Sequence, residues 1–451
     1  MLFIKINNIL FYIMIQKGGK SIASGSYGCV FRPSLKCDNQ NERSKNHISK
    51  LMLHKDAKKE FEEINKYKYI LEKIPNYKKY FLIANEICKP DKLTDNDIDD
   101  INDKCSTYPF LDKLVKELPK PTSFSSIQIQ DGGDDLYTHY SKLLLDYKSI
   151  FLFNNLLQNI TQNAILPINK LKLIHGDIKS DNLLIDNTGQ IKLIDWGLAI
   201  NYNEGLSSVH NQLEWRPLSI NAPPTTILFS NYFITKINYY LKSILISRSK
   251  VSKKDIHDLL AKNYQEYESI YGEGHKTLIM GLLEFIIKHS NLQIKSPFEI
   301  IIDYLTECVY NHIKYVNLLN SNINIYFDYI EYFDKIFSHN YDRFGIVVTY
   351  LRLIEIIDSA PDRVILKKNY NINQLKTIFA DFLYKHLYLK PNVIIDINNM
   401  FIDSKKFLLY FDKGDRLTSL VTLKGNNIDS INRLVDNEIV DKRVKLINEL
   451  K

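Results

Sequence analysis

Two apolar runs that each end in an aspartate constrain this chain more than any other feature of its sequence. They lie in residues 171–200, LKLIHGDIKSDNLLIDNTGQIKLIDWGLAI, where the turn-forming residues NTG separate the stretches LLID and IKLID. Short apolar stretches joined by such a turn are typical of a β-hairpin. Asp177 follows the earlier apolar run LKLI, and Asp195 ends the hairpin. The pattern predicts buried strands with polar side chains at their ends.

Four polar residues mark these strand and loop ends: Asp177, Lys179, Asn182 and Asp195. Carboxylate and amide oxygens are ligands that Mg²⁺ prefers. An ammonium group can neutralise charge on a transferring phosphoryl group, and a carboxylate that binds no metal can accept a proton from a hydroxyl. Each residue alone is better explained as a turn residue. Together, as H-x-D-x-K-x-x-N followed thirteen residues later by D-x-G, they predict a site for a divalent cation and a phosphate.

This set resembles the catalytic loop and magnesium loop of eukaryotic-type protein kinases. The resemblance implies that Asp177 is the catalytic base and that Lys179 contacts the γ-phosphate, as in serine/threonine kinases. It makes Asn182 and Asp195 the Mg²⁺ ligands, and it puts Trp196 in the hydrophobic place usually taken by Phe. The implied enzyme transfers the γ-phosphoryl group of ATP to a Ser or Thr hydroxyl of a protein, with ATP and Mg²⁺ as cofactors.

The resemblance also implies a glycine-rich phosphate loop upstream. The stretch IASGSYGCV matches one, with Ala23 in place of the first glycine. Glycines there let backbone N–H groups approach phosphates. Tyr27 would cap the loop and Val30 would pack on the adenine. The nucleotide-binding residues expected from this stretch are Ile22, Gly25, Ser26, Tyr27, Gly28 and Val30.

The phosphate-binding lysine is expected on the next strand, HISKLM, where Lys50 alternates with apolar positions. Lys45 and Lys55 are the nearby alternatives. The ionic partner of the lysine should be a glutamate of the following amphipathic helix. The candidates are Glu60, Glu62 and Glu63, and we choose Glu63 because EINKY resembles the family pattern.

The adenine-binding segment is expected at the end of the predicted strand FSSIQIQ, before Gly132-Gly133. Ile127 takes the gatekeeper position in this interpretation. Gln128 and Gln130 form the hinge that bonds adenine through its backbone, and Asp134 lies within reach of the ribose.

Three departures from the kinase pattern carry expectations of their own. Gly176 stands where many kinases have an Arg that pairs with a phosphate on the activation segment, so we expect no need for that phosphorylation. Pro224 stands where Glu usually anchors the segment, so another anchor is needed, and EWRPL is the candidate. The helix that supports the catalytic loop is best matched by YDRFG, with Asp342 and Phe344.

The short element RPLSINAPP, a large helical insertion and then YDRFG together resemble serine/threonine kinases encoded by large nucleocytoplasmic DNA viruses. The stretches SGSYGCVFRPSLKC and ISKLM share that similarity. The kinase resemblance is specific over about residues 20–225. It implies a cytoplasmic protein, located in the host cytoplasm or the virion if it is viral.

The order of patterns predicts two lobes of unequal composition, a small β-rich N-lobe and a larger, mainly helical C-lobe. The resemblance implies that they form an α+β, bilobal, protein-kinase-like fold. Strands are expected in 20–52, at YFLIANEI and at FSSIQIQ, and a polar surface loop or insertion at about 89–122. Amphipathic spacing predicts helices near 56–73, 228–247, 254–271, 276–290, 298–318, 324–337, 343–357 and 372–388.

The expected boundaries are a leader at 1–19, an N-lobe at 20–131, a C-lobe at 132–390 with a helical insertion at about 230–335, and an extension at 391–451. We expect the side chains at 50, 177, 182 and 195 to meet around one nucleotide–cation pocket between the lobes.

Composition argues against several other classes. The net charge of +7 is spread without a dense basic run, so no nucleic-acid partner is expected. The five cysteines form no C-x-x-C pair, so we expect neither a disulfide framework nor a zinc site, and a reducing compartment. The apolar N-terminal stretch falls short of the roughly 20 residues that span a bilayer, and no cleavage site follows it. We therefore expect no membrane association.

Two alternatives stay open on the sequence. A pseudokinase that scaffolds partners through its helical region is disfavoured because the phosphate, metal and base residues are all present. A small-molecule kinase of related fold, acting on an aminoglycoside or choline-like alcohol, shares H-x-D and the later Asp but usually lacks the Lys two residues after the base. The protein substrate and the oligomeric state do not follow from the sequence.

Overall fold

A computed structural model describes residues 21–25, 28–43, 46–202, 211–247, 250–290, 296–317 and 323–413. Ser26, Tyr27 and the expected leader lie outside these residues, as does most of the expected C-terminal extension. The chain divides into two compact units. One comprises Met1–Asp134 with Leu184–Gly197, and the other comprises Asp135–Leu183 with Leu198–Lys451.

A five-stranded antiparallel sheet of order β1-β2-β3-β5-β4 lies in the first unit. Its strands are β1 Ser21–Gly25, β2 Gly28–Phe31, β3 His47–Leu53, β4 Ala84–Cys88 and β5 Phe124–Gln130. Strands are therefore confirmed in all three predicted regions. In the register, Lys50 lies opposite Val30 of β2 and Ile127 of β5.

Short helices accompany this sheet: α1 His54–Lys66, α2 Lys68–Leu71, α3 Tyr77–Tyr80, α4 Asp95–Ile98, α5 Ile101–Lys104 and α6 Leu111–Glu117. Helix α1 places Ala57 and Ile64 against a core cluster that includes Ile127. The apolar stripe of α1 therefore covers one part of the sheet, which explains the amphipathic pattern predicted there.

The surface-loop interpretation of 89–122 is wrong, because α4, α5 and α6 lie within this range. The alternative interpretation, an insertion, stays a prediction. Each of these helices has only four to seven residues, too few to show a helical period in the sequence. The scattered apolar residues of this region join residues of the sheet in one core cluster. That cluster comprises Cys29, Phe31, Leu35, Leu51, Leu93, Ile101, Cys105, Tyr108, Leu114 and Phe124.

Two disulfides lie in the first unit. Cys29 of β2 bonds to Cys105, and Cys37 bonds to Cys88 of β4, with Cα atoms 5.5 and 5.8 Å apart. The expectation of no disulfide framework is therefore wrong. The partners are 76 and 51 residues apart in sequence, so no local spacing indicated them. Cys308 is free and buried.

The hairpin predicted from LLID and IKLID is confirmed as β8 Leu183–Ile185 and β9 Ile191–Leu193. Together with β6 Asp134–Asp135 these strands form a sheet of order β6-β8-β9. Asp186 closes the turn, because its Oδ1 accepts hydrogen bonds from the backbone N–H groups of Thr188 and Gln190 at 2.9 and 3.0 Å.

Helices make up most of the second unit: α7 Leu136–Ser141, α8 Tyr147–Ile160, α9 Leu166–Lys170, α10 Asn231–Ser247, α11 Lys253–Tyr271, α12 Lys276–His289, α13 Pro297–Asn311, α14 Tyr329–Tyr332, α15 Ser338–Thr349, α16 Leu351–Ser359, α17 Ile372–Leu383 and α18 Ile397–Lys405. Two small antiparallel pairs join β7 Leu173–Ile174 to β10 Ile200–Asn201 and β11 Ile313–Asn317 to β12 Ile323–Phe327. Among the described helices, none combines the length and apolar character needed to cross a membrane.

The helices predicted near 228–247, 254–271, 276–290 and 372–388 are confirmed, but the β11–β12 hairpin is a correction. The sequence predicts helices over 298–318 and 324–337, whereas residues at the end of the first and the start of the second form strands. Alternating β-branched and aromatic residues, as in IKYVN and INIYF, favour a strand over a helix there.

Tyr350 lies in the core of the second unit. Its ring contacts those of Phe153, Phe382 and Phe407, with centroids 5.0 to 5.8 Å apart. Its hydroxyl donates to Asn154 Oδ1 at 2.7 Å, so the one polar atom of the ring system has a partner. This cluster fixes α8 and α17 near the end of α15.

Thiol labelling tests the two disulfides directly. In denaturant without reductant, we expect an alkylating reagent to modify one cysteine per chain, because only Cys308 carries a thiol. After reduction it should modify all five. Intact-mass spectrometry measures both numbers. The Cys308→Ser variant is the control and should take up no label before reduction. Five labels on the unreduced, unfolded chain would contradict the pairing.

Candidate active site

The loop that carries Asp177 is held by a buried carboxylate of α15. Asp342 accepts hydrogen bonds from the backbone N–H groups of His175 at 2.9 Å and Gly176 at 3.0 Å. Asn169 Nδ2 donates to the same carboxylate at 2.7 Å. The prediction that YDRFG supports this loop is confirmed, because its aspartate fixes the backbone just before Asp177.

Gly176 has a φ of +80°, a conformation that side chains with a Cβ rarely adopt. A Cβ there would lie 2.2 Å from the Leu198 carbonyl oxygen and 3.1 Å from Arg216 Nη1. Arg216 itself donates to the Leu198 oxygen at 2.6 Å and to the Tyr341 hydroxyl at 3.1 Å. The anchor expected within EWRPL is therefore confirmed, and Arg216 provides it.

The Asp177 carboxylate is buried and accepts three hydrogen bonds. Lys179 Nζ and Asn182 Nδ2 each donate to Oδ2 at 2.8 Å. Asn221 Nδ2 donates to Oδ1 at 2.7 Å. The structure thus brings together three residues that the sequence predicted and one that it did not. Asn221 lies 44 residues after Asp177, and no motif marked it.

Burial is the largest influence on the pKa of Asp177 and would raise it. The charge of Lys179 and the hydrogen bonds from Lys179 and Asn221 act in the opposite direction and together lower the pKa below its usual value. Asp177 is therefore a carboxylate at neutral pH. An ionised carboxylate can orient a hydroxyl and accept its proton.

Asn182 presents an oxygen suited to a cation. Its Nδ2 donates both to the backbone oxygen and to Oδ2 of Asp177, each at 2.8 Å. The nitrogen side of the amide is therefore committed, and Oδ1 faces away from these acceptors. Amide oxygens are ligands for Mg²⁺, so the chemistry of Asn182 fits the expected metal.

Arg352 of α16 supports the turn between Lys179 and Asn182, and no motif in the sequence indicated this contact. Its Nε donates to Ser180 Oγ at 3.1 Å, and its Nη2 lies 3.3 Å from Asp181 Oδ2. Nη1 pairs with Glu355 at 2.6 Å. Burial, the largest influence, raises the pKa of Glu355, and the charge of Arg352 opposes it.

In the first unit, Lys50 pairs with Glu60, whose two carboxylate oxygens each lie 2.8 Å from Nζ. The choice of Glu63 is therefore wrong. Glu63 lies 3.7 Å from Lys59 instead. Glu60 comes three residues after Ala57 and four before Ile64, so it shares the face of α1 that packs on the sheet.

The other expected nucleotide-binding residues of the first unit lie on or beside its sheet. Gly25 pairs with Gly28 across β1 and β2, and Ile22 also lies in β1. Val30 is half-buried beside Lys50 in the register. Ser26 and Tyr27 lie outside the described residues.

At the end of β5, Ile127 and Gln128 are buried, whereas Gln130 is exposed. The side chain of Gln128 donates to the Leu35 carbonyl oxygen at 3.0 Å. Asp134 Oδ1 lies 3.7 Å from Arg32 Nη1, a neighbour that the sequence did not reveal.

Asp195 is exposed in the first unit and has a φ of +66°. Positive φ is uncommon outside glycine and is often found at functional positions. The next residue, Trp196, is 1% exposed, and its ring lies 5.6 Å from that of Phe81 and 6.2 Å from that of Tyr67. The hydrophobic place expected for Trp196 is confirmed, and burying it leaves the Asp195 carboxylate at the surface of this unit.

Comparison with known proteins agrees with this geometry. Residues 141–218 match the model of the protein kinase domain, and they contain Asp177, Lys179, Asn182 and Asp195. Over this segment the chain is similar to protein kinases.

Three relatives illustrate the similarity. The chain is 49% identical over 55 residues to the serine/threonine-protein kinase CBK1 of Yarrowia lipolytica, covering 12% of this chain and 9% of that protein. It is 26% identical over 172 residues to the serine/threonine-protein kinase CHK1 of Saccharomyces cerevisiae, covering 35% and 31%. It is 35% identical over 102 residues to the Citron Rho-interacting kinase of Homo sapiens, covering 22% and 5%. The chain thus spans less than a third of each of these relatives.

Asp342→Asn tests the support of the loop. The amide would turn a donor toward at least one of the backbone N–H groups of His175 and Gly176 and leave it unpaired. We expect the free energy of unfolding to fall by about 1–3 kcal/mol. Chemical denaturation measures the change, and the exposed Asp362→Asn is the control. Equal stability of the two variants would contradict the role of Asp342.

Proposed function

We propose that this protein is a protein kinase that transfers the γ-phosphoryl group of ATP to a serine or threonine hydroxyl. The observation that carries the proposal is the Asp177 carboxylate, ionised and oriented by Lys179, Asn182 and Asn221. It lies within the segment that is similar to protein kinase domains.

Each residue has a role that its chemistry supports. Asp177 orients the attacking hydroxyl and accepts its proton, and Lys179 neutralises charge on the transferring group. Lys50, held by Glu60, binds phosphate oxygens, and Asn182 and Asp195 are suited to hold Mg²⁺. When bound, Mg²⁺ would neutralise the phosphates of ATP. The protein acts mainly by positioning and charge stabilisation, because phosphoryl transfer demands little covalent chemistry of it.

The remaining expected nucleotide contacts are part of the same proposal. They are Ile22, Gly25, Ser26, Tyr27, Gly28, Val30, Gln128, Gln130 and Asp134. The likeness to kinases of large DNA viruses, and the host cytoplasm or virion as location, also remain predictions. So does the absence of a nucleic-acid or membrane partner.

Two alternatives make different experimental claims. A pseudokinase would bind partners without turning over ATP, although the phosphate, metal and base residues are present. A small-molecule kinase would phosphorylate an aminoglycoside or choline-like alcohol. The hydrogen bond from Lys179 to Asp177 favours a protein kinase over the latter, because that class usually lacks this lysine.

Asp177→Asn tests the catalytic proposal. With casein and a peptide array as acceptors and radiolabelled ATP as donor, we expect Ser and Thr acceptors to be labelled. The variant should lose about a hundredfold or more of that activity, because the base is removed. ATP binding, measured by calorimetry, should remain. Asp362→Asn is the control. Full activity in Asp177→Asn, or labelling of small alcohols only, would contradict the proposal.

Glu60→Gln and Glu63→Gln form a matched pair on one helix. Only the first loses the charge that orients Lys50. We expect kcat/KM for ATP to fall about tenfold to a hundredfold in Glu60→Gln, as for a lost hydrogen bond between charged groups. Glu63→Gln should change it by less than about twofold, because its ion pair is exposed. The opposite order would restore Glu63 as the partner of Lys50.

A further inference from the structure

The loop between α11 and α12, residues 272–275, lies against the segment that carries Asn221. The backbone N–H of His275 donates to the Leu218 carbonyl oxygen at 2.8 Å. His275 Nδ1 accepts from the backbone N–H of Ile220 at 3.2 Å and lies 3.4 Å from Ser219 Oγ. One histidine thus contacts three consecutive residues of the segment.

Gly274 makes this close approach possible. A Cβ at Gly274 would lie 2.3 Å from the Leu218 carbonyl oxygen and 2.9 Å from Pro217 Cβ, and its φ is +52°. The loop therefore reaches the segment along its backbone as well as through the His275 ring.

Two further hydrogen bonds join this segment to Asp177. Ser219 Oγ donates to Asn221 Oδ1 at 2.5 Å, and Asn221 Nδ2 donates to Asp177 Oδ1 at 2.7 Å. Because Ser219 occupies the amide oxygen, the amide nitrogen must face the carboxylate. A reversed amide would set its oxygen against the negative charge of Asp177.

We propose that the 272–275 loop is part of the reaction machinery, with His275 as a positioning residue that holds the backbone of Leu218 and Ile220 and thereby keeps Asn221 on the Asp177 carboxylate. The proposal rests on the proposed function, since it concerns the same base. It gives a chemical role to part of the region predicted from the sequence as a helical insertion.

The protonation state of His275 matters for this role. Accepting the Ile220 N–H requires Nδ1 without a hydrogen, so the imidazole is neutral with its hydrogen on Nε2. A proton on Nδ1 would face the backbone N–H of Ile220, so two donors would oppose each other and this hydrogen bond would be lost. The charges of Lys179 and Asp177 act on the His275 ring. Its charged neighbours in sequence are Glu273 and Lys276, and Lys276 forms an ion pair with Glu268 at 2.5 Å.

Burial first, and then the charge of Lys179, lower the pKa of His275, and Asp177 opposes them. His275 is therefore neutral at and above pH 7 and gains its proton only below its ordinary pKa of about 6.5. The arrangement is intact at neutral pH and is lost as the pH falls below that value.

Kinetics of His275 variants test the role. His275→Ala should lower kcat about fivefold to tenfold with KM for ATP unchanged, because the hydrogen bond that holds the Ile220 backbone is lost. His275→Asn, whose amide oxygen can replace Nδ1 as acceptor, should recover most of the rate and keep it to lower pH than the wild type does. Ser219→Ala combined with His275→Ala should lose no more than the stronger single variant, because both act through one network.

His257→Ala on α11 is the matched control and should leave kcat unchanged, because the His257 ring pairs with Asp258 and Asp303, each at 3.6 Å. Wild-type kcat in His275→Ala, or additive losses in the double variant, would overturn the proposal.

A second measurement separates this inference from the proposed function. Selective ¹³C labelling of the eleven histidines allows NMR titration of His275, assigned by its absence in His275→Asn. We expect Lys179→Met to raise the pKa of His275 and Asp177→Asn to lower it. If both pKa shifts occur but no phosphotransfer is detected, the proposed function is refuted, whereas the electrostatic coupling of His275 to Lys179 and Asp177 stands. A pKa of His275 that changes in neither variant would refute this coupling.

Discussion

The carboxylate of Asp342 is the interaction on which the candidate site depends. A buried charge is costly unless donors surround it, and here His175, Gly176 and Asn169 supply them. The bonds run from a helix of the second unit to two successive backbone N–H groups. They therefore fix the peptide planes from which Asp177 projects, including the left-handed conformation of Gly176. The backbone geometry thus sets the direction in which the Asp177 side chain projects, independently of the side chains that contact its carboxylate.

The charge of Asp177 is then balanced from two parts of the chain. Lys179 and Asn182 belong to its own loop, whereas Asn221 comes from the following segment. A carboxylate with donors on both oxygens cannot rotate freely, so its orientation reports whether that segment is in place. This dependence makes Asn221, and the residues that orient it, as consequential as the residues of the recognisable motif.

The sequence predicted the parts of the site that local patterns encode. Asp177, Lys179, Asn182 and Asp342 stand at motif spacings. The structure joins Asp177 to Lys179 and Asn182 and holds their loop through Asp342, while their catalytic roles stay predictions. Partners that are distant in sequence could not be predicted. Arg352 contacts the loop that carries Asp177 across more than 170 residues of sequence, and no spacing relates the two.

Glu60 was missed for a different reason. Three glutamates within four residues differ only in helical phase, and the phase depends on where the sheet lies. The helices within 89–122 were missed because each is about one turn or two long and buries at most one apolar residue. Strands β11 and β12 were also missed. Their residues favour strands, and this preference outweighed the apparent helical period of the surrounding sequence.

Gly176 and Arg216 show how a departure from the family pattern is accommodated. An arginine cannot replace Gly176, because its Cβ would collide with the Leu198 carbonyl oxygen. The guanidinium found here belongs to Arg216, and its acceptors are the Leu198 and Gln212 carbonyl oxygens and the Tyr341 hydroxyl. These acceptors are neutral and permanently present, so the anchor forms without any added charge. A phosphate on the segment would have to compete with bonds already made, which supports the expectation that this anchor needs no phosphorylation.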